Sequence, residues 1–284
     1  MIHERARAKV NLTLRVLGRR PDGYHEIDSL IAFADDAFDT VTLDPGRPVG
    51  VTVSGPFADR IVGDNIVAMT LRRLAETEPR LQLGAVHIEK RLPVAAGIGG
   101  GSADAGAVLR AVASANPDHS GRIDWLAIAA SLGADVPVCF TNVACRATGL
   151  GEILGPLPQL PTLSAVLVNS LDDVPADKTA QVFRLLAAGP LPASPAQAPH
   201  AVPADDRALV EMLSQVGNDL EPAARTAFPV IAKVLDALRE IEGCRFAAMS
   251  GAGPTCFGLF EDCGHAAGAL ASRHPAWWIA PTRL

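Results

Sequence analysis

Four glycines within five residues constrain the fold of this chain more than any other feature. Gly97, Gly99, Gly100 and Gly101 stand in the segment LPVAAGIGGGSADAGAVL, between a strand-like stretch and an alanine-rich stretch. Glycine adopts positive φ angles and lets a ligand approach the backbone, but it loses much conformational entropy on folding. The segment therefore predicts a loop whose N–H groups converge on phosphate oxygens at the start of a helix.

Two common phosphate-binding patterns do not fit this loop. A Walker A loop has a lysine after its last glycine, whereas Ser102 follows Gly101 here. A Rossmann loop follows the first strand of its fold and precedes, by about 20 residues, an acid at a strand end. This loop lies far along the chain, and the plausible acid, Asp118, stands in a polar turn. The remaining alternative is a strand-to-helix turn that binds nothing.

Periodicity along the chain mixes strands and helices, which favours an α+β fold. Alternating apolar residues predict strands over 49–53 and 85–89. Helical spacing and breakers predict helices over 102–116, 124–132 and 230–241. Because both kinds of element occur in both halves, two lobes are expected.

A proline-containing connection near residue 156 suggests where the lobes divide. We expect an N-terminal lobe, 1–156, that holds the glycine loop, and a C-terminal lobe, 157–284. Residues 187–206 contain five prolines and almost no large apolar side chain. They predict an exposed, mobile loop, with an ordered loop held by a partner as the alternative.

The charge of the chain limits its partners. Its 31 acidic and 25 basic residues give a formal charge of −6, whereas nucleic acid and anionic membranes attract basic surfaces. No run approaches the roughly 18 to 20 apolar residues that span a bilayer, and the charged N-terminus does not resemble a signal peptide. We expect a cytoplasmic protein that binds neither nucleic acid nor membrane. The oligomeric state is not predicted, because no apolar stripe in the sequence stands out from the pattern of core residues.

Two further segments accompany the glycine loop in a recognisable order. ARAKVNLTLRVLGRRPDGYHEIDSL stands near the N-terminus and AMSGAGPTCFGLF near the C-terminus. With LPVAAGIGGGSADA between them, they resemble the three motifs of the GHMP small-molecule kinases. Three shorter patterns narrow the resemblance to the branch of this family that acts on 4-diphosphocytidyl-2-C-methyl-D-erythritol. They are K-x-N, G-R-R-x-D-G-Y-H-E and G-A-D-V-P. The resemblance runs from about residue 6 to 260.

The resemblance implies a two-lobed GHMP kinase fold with its active site in the cleft between the lobes. It also implies ATP-dependent phosphorylation of the 2-hydroxyl of the cytidine-diphosphate-linked methylerythritol, in non-mevalonate isoprenoid biosynthesis. ATP and that alcohol would be the small-molecule partners. Magnesium should bridge the ATP phosphates, which supply most of its ligands. Ser102 is a candidate ligand, and no protein ligand is assigned.

The resemblance implies catalytic roles for Asp135, in LGADVP, and Lys9, in AKVN. Asp135 would accept the proton of the substrate hydroxyl, and the Lys9 ammonium would favour both the carboxylate and the developing alkoxide. Asn65 and Lys90 would lie around the adenosine. The loop positions implied to hold ATP are Pro93, Val94, Ala95, Ala96, Gly97, Ile98, Gly99, Gly100, Gly101, Ser102 and Ala103.

A second group of residues would hold the cytidine-linked alcohol. Tyr24 and His25 would recognise cytosine with Phe183 on the opposite side, because rings stack on a base while an imidazole reads its edge. Asn11 would orient the hydroxyl-bearing end. The remaining implied substrate contacts are Thr179, Gly251 and Gly253.

Two departures from the family pattern affect these assignments. Ala252 replaces a hydroxyl residue and Pro254 lacks a backbone donor, so the third motif is expected to act through loop shape and backbone contacts. Residues 170–179 form a longer segment than the family has before its threonine, which stands here as Thr179.

Two other functions stay open. Another GHMP kinase, acting on homoserine, mevalonate or a sugar, would leave Tyr24 and His25 unexplained. A non-catalytic ATP-binding sensor would not need both Lys9 and Asp135.

Overall fold

The structure is a computed structural model that describes residues 1–61, 65–157, 160–175, 177–193 and 202–284. Its strands are β1 Ile2–Asn11, β2 Arg15–Arg19, β3 His25–Asp44, β4 Gly50–Ser54, β5 Ala85–Glu89, β6 Cys145–Gly149, β7 Ile153–Pro156, β8 Ser164–Asn169, β9 Phe246–Met249, β10 Cys256–Leu259 and β11 Trp278–Arg283. Its helices are α1 Ile66–Thr77, α2 Gly100–Ala115, α3 Pro117–Ser120, α4 Trp125–Leu132, α5 Val136–Thr141, α6 Lys178–Leu186, α7 Asp206–Val216, α8 Glu221–Ala227, α9 Val230–Arg239 and α10 Cys263–Arg273. The α+β prediction is confirmed.

The predicted strands over 49–53 and 85–89 are β4 and β5, and the predicted helices are α2, α4 and α9. Helix α2 begins at Gly100, two residues earlier than predicted, because Gly99 is its N-cap residue. Within the described residues, none of the helices combines the length and apolar composition needed to cross a membrane.

Contacts divide the chain into two compact units whose segments alternate along the sequence. The first unit consists of Met1–Lys9, Ala37–Val94 and Gly99–Val143. The second unit consists of Val10–Asp36, Ala95–Ile98 and Ala144–Leu284. The prediction placed a single boundary after residue 156, whereas the long strands β1 and β3 each contribute residues to both units.

The first unit combines a small sheet with a group of packed helices. Strand β5 pairs in parallel with β4 and antiparallel with the C-terminal part of β3, and α2 packs against α1, α4 and α5. The backbones of α2 and α5 meet at Gly106, where a Cβ atom would lie 2.6 Å from the carbonyl carbon of Cys139. Only glycine permits this approach, which fixes the start of α5 relative to α2.

The second unit contains two antiparallel arrangements. The N-terminal part of β3 pairs with β2 and β6, and β6 pairs with β7. A four-stranded sheet has the order β11-β8-β10-β9. Helix α9 packs on β9 and β10, and α10 packs on β8 and β11. The third motif is therefore the connection between two adjacent strands, β9 and β10, of a sheet supported by helices.

The proline-rich segment 187–206 lies only partly within the described residues, because 194–201 are outside them. At its N-terminal end, Arg19 N donates to Gly189 O and Leu191 N donates to Arg19 O, each at 2.8 Å. This end is hydrogen-bonded to β2, in contrast to the mobile loop that composition indicated.

Candidate functional site

The glycine loop leads into α2 with the N-terminus of the helix uncapped. Gly99 is the N-cap residue and has a left-handed conformation, with φ of 66°. The first N–H groups of a helix have no intrahelical acceptor, and among the described residues α2 has neither a capping side chain nor an acid in its first turn. The positive end of this 16-residue helix is therefore available to an anion.

Buried side chains anchor the predicted loop while other positions face outwards. Pro93, Ala96, Ile98 and Ala103 are buried, whereas the exposed positions of the loop are Val94, Ala95 and Gly101. The intermediate positions are Gly97, Gly99, Gly100 and Ser102.

Lys9 and Asp135 form an ion pair in the first unit, with 2.7 Å between Nζ and Oδ1. The Lys9 side chain is 6% exposed and that of Asp135 is 44% exposed. Gly99 lies beside them, since a Cβ there would be 3.3 Å from Lys9 Cβ and 3.5 Å from Lys9 Cε. Asp135 precedes α5 but makes no capping hydrogen bond. The structure thus brings a half-exposed carboxylate, a buried ammonium and the start of α2 together.

A buried ionic cluster lies behind the glycine loop. Lys90 Nζ donates to Oδ2 of Asp39 and, at 2.8 Å, to Oδ2 of Asp104. Asp39 Oδ1 accepts hydrogen bonds from the backbone N–H groups of Arg91, at 2.5 Å, and Leu92, at 2.8 Å. The three charged side chains are nearly inaccessible to solvent. The cluster connects the segment before the glycine loop, Lys90–Leu92, to Asp104 in α2, the helix that follows the loop.

The two residues predicted near adenosine have other partners in the structure. The ammonium of Lys90 is engaged by two carboxylates, so its side chain belongs to the buried cluster. Asn65 caps α1, where its Oδ1 accepts a hydrogen bond from Val67 N at 2.9 Å. Their contact with adenosine stays a prediction.

Asn11 presents a buried amide oxygen without a partner. Its Nδ2 donates to Ser29 Oγ at 2.8 Å, and Ser29 Oγ donates to Thr13 O at 2.6 Å. Because Ser29 uses its one proton on Thr13, it must accept from Asn11, which places Nδ2 rather than Oδ1 on that side. The Oδ1 atom has no hydrogen-bond partner among the described residues. It can accept a hydrogen bond from a hydroxyl group of a ligand.

The third motif packs directly on the glycine loop within the second unit. Ser250 Oγ accepts from Asn11 N and donates to Gly97 O, each at 3.1 Å. A Cβ at Gly97 would lie 2.5 Å from Gly253 O, and one at Gly251 would lie 3.3 Å from Asn11 Oδ1. Glycine at these positions allows three segments to meet at Asn11.

The residues predicted to recognise cytosine lie at and after the turn between β2 and β3, and on α6. The rings of His25 and Phe183 stack with 4.6 Å between their centroids. Burial lowers the pKa of His25, and the charge of Arg19 lowers it further. Tyr24 is 64% exposed, and Thr179 is also exposed.

His25 and Phe183 contact each other directly in the structure, whereas the expectation placed them on opposite sides of the base; that arrangement stays a prediction. A base between two rings separates them by about 7 Å, which is twice an ordinary contact of about 3.5 Å. The observed 4.6 Å leaves no such space. The pair therefore offers an outer ring face or the edge of a neutral imidazole.

Four residues that shape these groups were not singled out from the sequence. They are Asp39, Gly106, Ser29 and Asn218, the last of which donates through Nδ2 to the carbonyl oxygens of Met249 and Gly251 in and beside the third motif. A glycine inside a helix was an available signal for Gly106, whereas Asp39 is one of five aspartates in β3 and nothing local distinguishes it. Nothing local in the sequence indicates the partners of Ser29 and Asn218.

Comparison with known families gives two matches that are consistent with this arrangement. Residues 65–143 match the family described as GHMP kinases N terminal domain. Residues 204–276 match the family described as GHMP kinases C terminal.

Curated relatives resemble the chain over its whole length. A 4-diphosphocytidyl-2-C-methyl-D-erythritol kinase of Methylobacterium radiotolerans is 48% identical, over 100% of this chain and 99% of that protein. The protein of the same name from a Bradyrhizobium species is 46% identical, over 98% of this chain and 95% of that protein.

Solved structures share the fold. A crystal structure of 4-(cytidine 5'-diphospho)-2C-methyl-D-erythritol kinase has a TM-score of 0.75 and 32% identity, and the match covers 99% of both chains. Homoserine kinase from Cytophaga hutchinsonii has a TM-score of 0.68 and 18% identity, over 99% of this chain and 95% of that one. The second likeness shows the fold alone.

The buried cluster predicts how Asp104→Asn alters stability with pH. Burial raises the pKa of Asp104 to about 8; the Lys90 ammonium opposes this shift, whereas the Asp39 carboxylate adds to it. In an unfolded chain the same carboxyl ionises near pH 4. Between these values only the folded protein holds the proton, so its stability falls as pH rises. Asparagine does not titrate, so the free energy of unfolding of the variant, relative to the wild type, should rise from pH 5 to pH 8.

Urea unfolding of both proteins at pH 5, 6.5 and 8 measures this difference. Asp206→Asn is the matched control, because the hydrogen bond from Arg245 lowers the pKa of Asp206 and confines its effect to more acidic solution. The free energy of unfolding of Asp206→Asn, relative to the wild type, should stay constant from pH 5 to pH 8. A constant difference for Asp104→Asn would contradict the assignment of a protonated carboxyl behind the loop.

Proposed function

Since the chain belongs to the GHMP kinases, and within them to the 4-diphosphocytidyl-2-C-methyl-D-erythritol kinases, we propose that it phosphorylates the 2-hydroxyl of that alcohol with ATP. This would place it in non-mevalonate isoprenoid precursor biosynthesis. The observation that carries the proposal is the Lys9–Asp135 ion pair beside the uncapped start of α2. Together these groups supply a base (Asp135), a cation (Lys9) and a site for an anion (the start of α2).

Asp135 is the proposed base for the hydroxyl proton. Its carboxylate is half-exposed and makes no capping bond, so a substrate can reach it. Lys9 is held against Gly99 and directs its ammonium at Oδ1. That cation would also stabilise the alkoxide that forms as the proton leaves. Such positioning matters because phosphoryl transfer depends mainly on alignment and charge neutralisation.

The first turn of α2 is the proposed site for the phosphates of MgATP. Backbone N–H groups there can donate to phosphate oxygens in the field of the helix dipole. The magnesium ion would enter as part of the substrate, with the phosphates as most of its ligands. Among the described residues no three His, Cys, Asp or Glu side chains are grouped as a metal site, and Ser102 remains the candidate protein ligand.

Asn11 and the cytosine residues would place the alcohol. Asn11 is two positions from Lys9 on β1, and alternation places both side chains on the same face of the strand. Its Oδ1, which has no partner among the described residues, would accept a hydrogen bond from a hydroxyl group of the methylerythritol end. His25, with its lowered pKa, would read the cytosine edge as a neutral ring, while Tyr24 supplies an exposed ring face.

No observation favours the other candidate functions over this one. The likeness to homoserine kinase is limited to the fold at 18% identity. A non-catalytic sensor would have no use for the ion pair that joins Lys9 to Asp135.

The acceptor specificity tests the proposal directly. Purified protein with MgATP should form ADP when 4-diphosphocytidyl-2-C-methyl-D-erythritol is present, and not with homoserine, mevalonate or galactose. A coupled ADP assay measures each rate, and mass spectrometry of the product checks for one added phosphoryl group. Turnover of one of the other alcohols, without turnover of the cytidine compound, would refute the assignment.

The cytosine site predicts a change in KM for His25→Ala. A hydrogen bond between the neutral imidazole and the edge of the base contributes about 0.5–1.5 kcal/mol, so KM for the cytidine-linked alcohol should rise severalfold, up to roughly tenfold. KM for ATP should not change. His274→Ala is the matched control, because His274 also stacks on an aromatic ring, that of Trp277, at 3.8 Å. If both variants keep the wild-type KM for the alcohol, His25 does not contact the base.

A further inference from the structure

Asn218 lies outside the three family motifs, yet its side chain reaches the third motif. It stands between α7 and α8 and is 9% exposed. Its Nδ2 donates to Met249 O at 2.8 Å and to Gly251 O at 2.9 Å, and its Oδ1 accepts from Leu220 N at 2.9 Å. One buried amide therefore holds two carbonyl groups at the end of β9.

The segment that carries Asn218 is itself fixed to the start of the chain. Leu14 N donates to Gly217 O at 3.0 Å, and Asp219 N donates to Leu14 O at 2.8 Å. Asp219 Oδ2 also accepts a hydrogen bond from Val16 N at 2.8 Å. Because Asn218 is held on both sides, its amide can act as a rigid support for the turn it contacts.

The supported turn is the one that contacts Asn11. Gly251, whose carbonyl is bound by Asn218, has φ of 56° and lies against Asn11 Oδ1. Ser250, between the two supported carbonyl groups, accepts the backbone hydrogen bond of Asn11. Loss of the Asn218 amide would remove two hydrogen bonds that hold the turn beside Asn11.

The same hydrogen bond orients the next peptide group. A trans peptide is planar, so its N–H points away from its C=O. With Gly251 O directed at Asn218, the N–H of Ala252 is directed away from Asn218. Ala252 is a buried residue, and among the described residues its N–H donates to no backbone acceptor, so this group can donate to a ligand.

We propose that Asn218 is a positioning residue for phosphoryl transfer, which holds the turn Ser250–Gly253 so that the Ala252 N–H can donate to a phosphate oxygen. This inference rests on the proposed kinase function. It assigns Asn218 no contact with substrate and no part in proton transfer. Its effect is on the orientation of Asn11 and of one backbone donor.

The test compares Asn218→Leu with Asn116→Leu, since leucine matches asparagine in size and adds no charge. Asn116 is a buried asparagine of the first unit whose Nδ2 donates to Gln82 O and Val112 O and whose Oδ1 accepts from Gln82 N. Both variants leave two carbonyl groups without a donor, so both should lower Tm. Only Asn218→Leu should lower kcat, by tenfold or more, while Asn116→Leu stays within twofold of the wild type.

A folded Asn218→Leu protein with wild-type kcat would overturn the proposal, because a purely structural role predicts a lower Tm alone. Each assay uses the alcohol that the wild type phosphorylates fastest. If the proposed substrate is wrong, a different alcohol is used in the assay, but the ratio of kcat between each variant and the wild type still tests the role of Asn218.

If Asn218→Leu does not fold, or if no alcohol is phosphorylated, hydrogen exchange of the wild-type protein tests whether the Ala252 N–H donates to a phosphate. The probe is a non-hydrolysable ATP analogue with Mg²⁺. The amide of Ala252 should exchange at least tenfold more slowly when the probe is bound, whereas the amide of Leu220, which is already bonded to Asn218, should change little. An unchanged exchange rate at Ala252 with saturating probe would overturn the proposal.

Discussion

The ion pair between Lys9 and Asp135 is the interaction on which the proposed chemistry depends. It requires two glycines that contribute no side chain. Gly99 leaves room for the stem of Lys9. Gly106 lets the backbone of α2 touch that of α5, and Asp135 immediately precedes α5. A Cβ atom at Gly99 would crowd the stem of Lys9 at 3.3 Å on a left-handed backbone, and one at Gly106 would force α5 away from α2.

The same region shows how an acidic chain can offer a place to phosphates. The formal charge is −6, but the three carboxylates near the loop do not act as free negative charges. Asp135 is paired with Lys9, and Asp39 shares Lys90 with Asp104. Burial raises the pKa of Asp104 to about 8, which weakens its negative charge near neutral pH. The field of the α2 N-terminus is thus not cancelled by its neighbours.

The sequence predicted the elements and residues that have strong local signals. Consecutive glycines before an alanine-rich stretch predicted the loop and α2, and the order of three motifs predicted the family. It could not predict that His25 contacts Phe183, because their separation depends on how α6 packs. Nor could it assign Lys90 to a buried cluster, since Asp39 lies 51 positions away. Asn218 resembles any polar turn residue until its two carbonyl partners, about 30 positions distant, are known.

A double-mutant cycle on kcat for Lys9→Met, Asp135→Asn and their combination tests the central claim most directly. If the pair acts as one unit, each single change should lower kcat by about a hundredfold or more. The combined variant should be no slower than the worse single variant by more than about threefold, with ATP affinity nearly unchanged. Wild-type kcat in Asp135→Asn, or losses that multiply in the combined variant, would contradict the account.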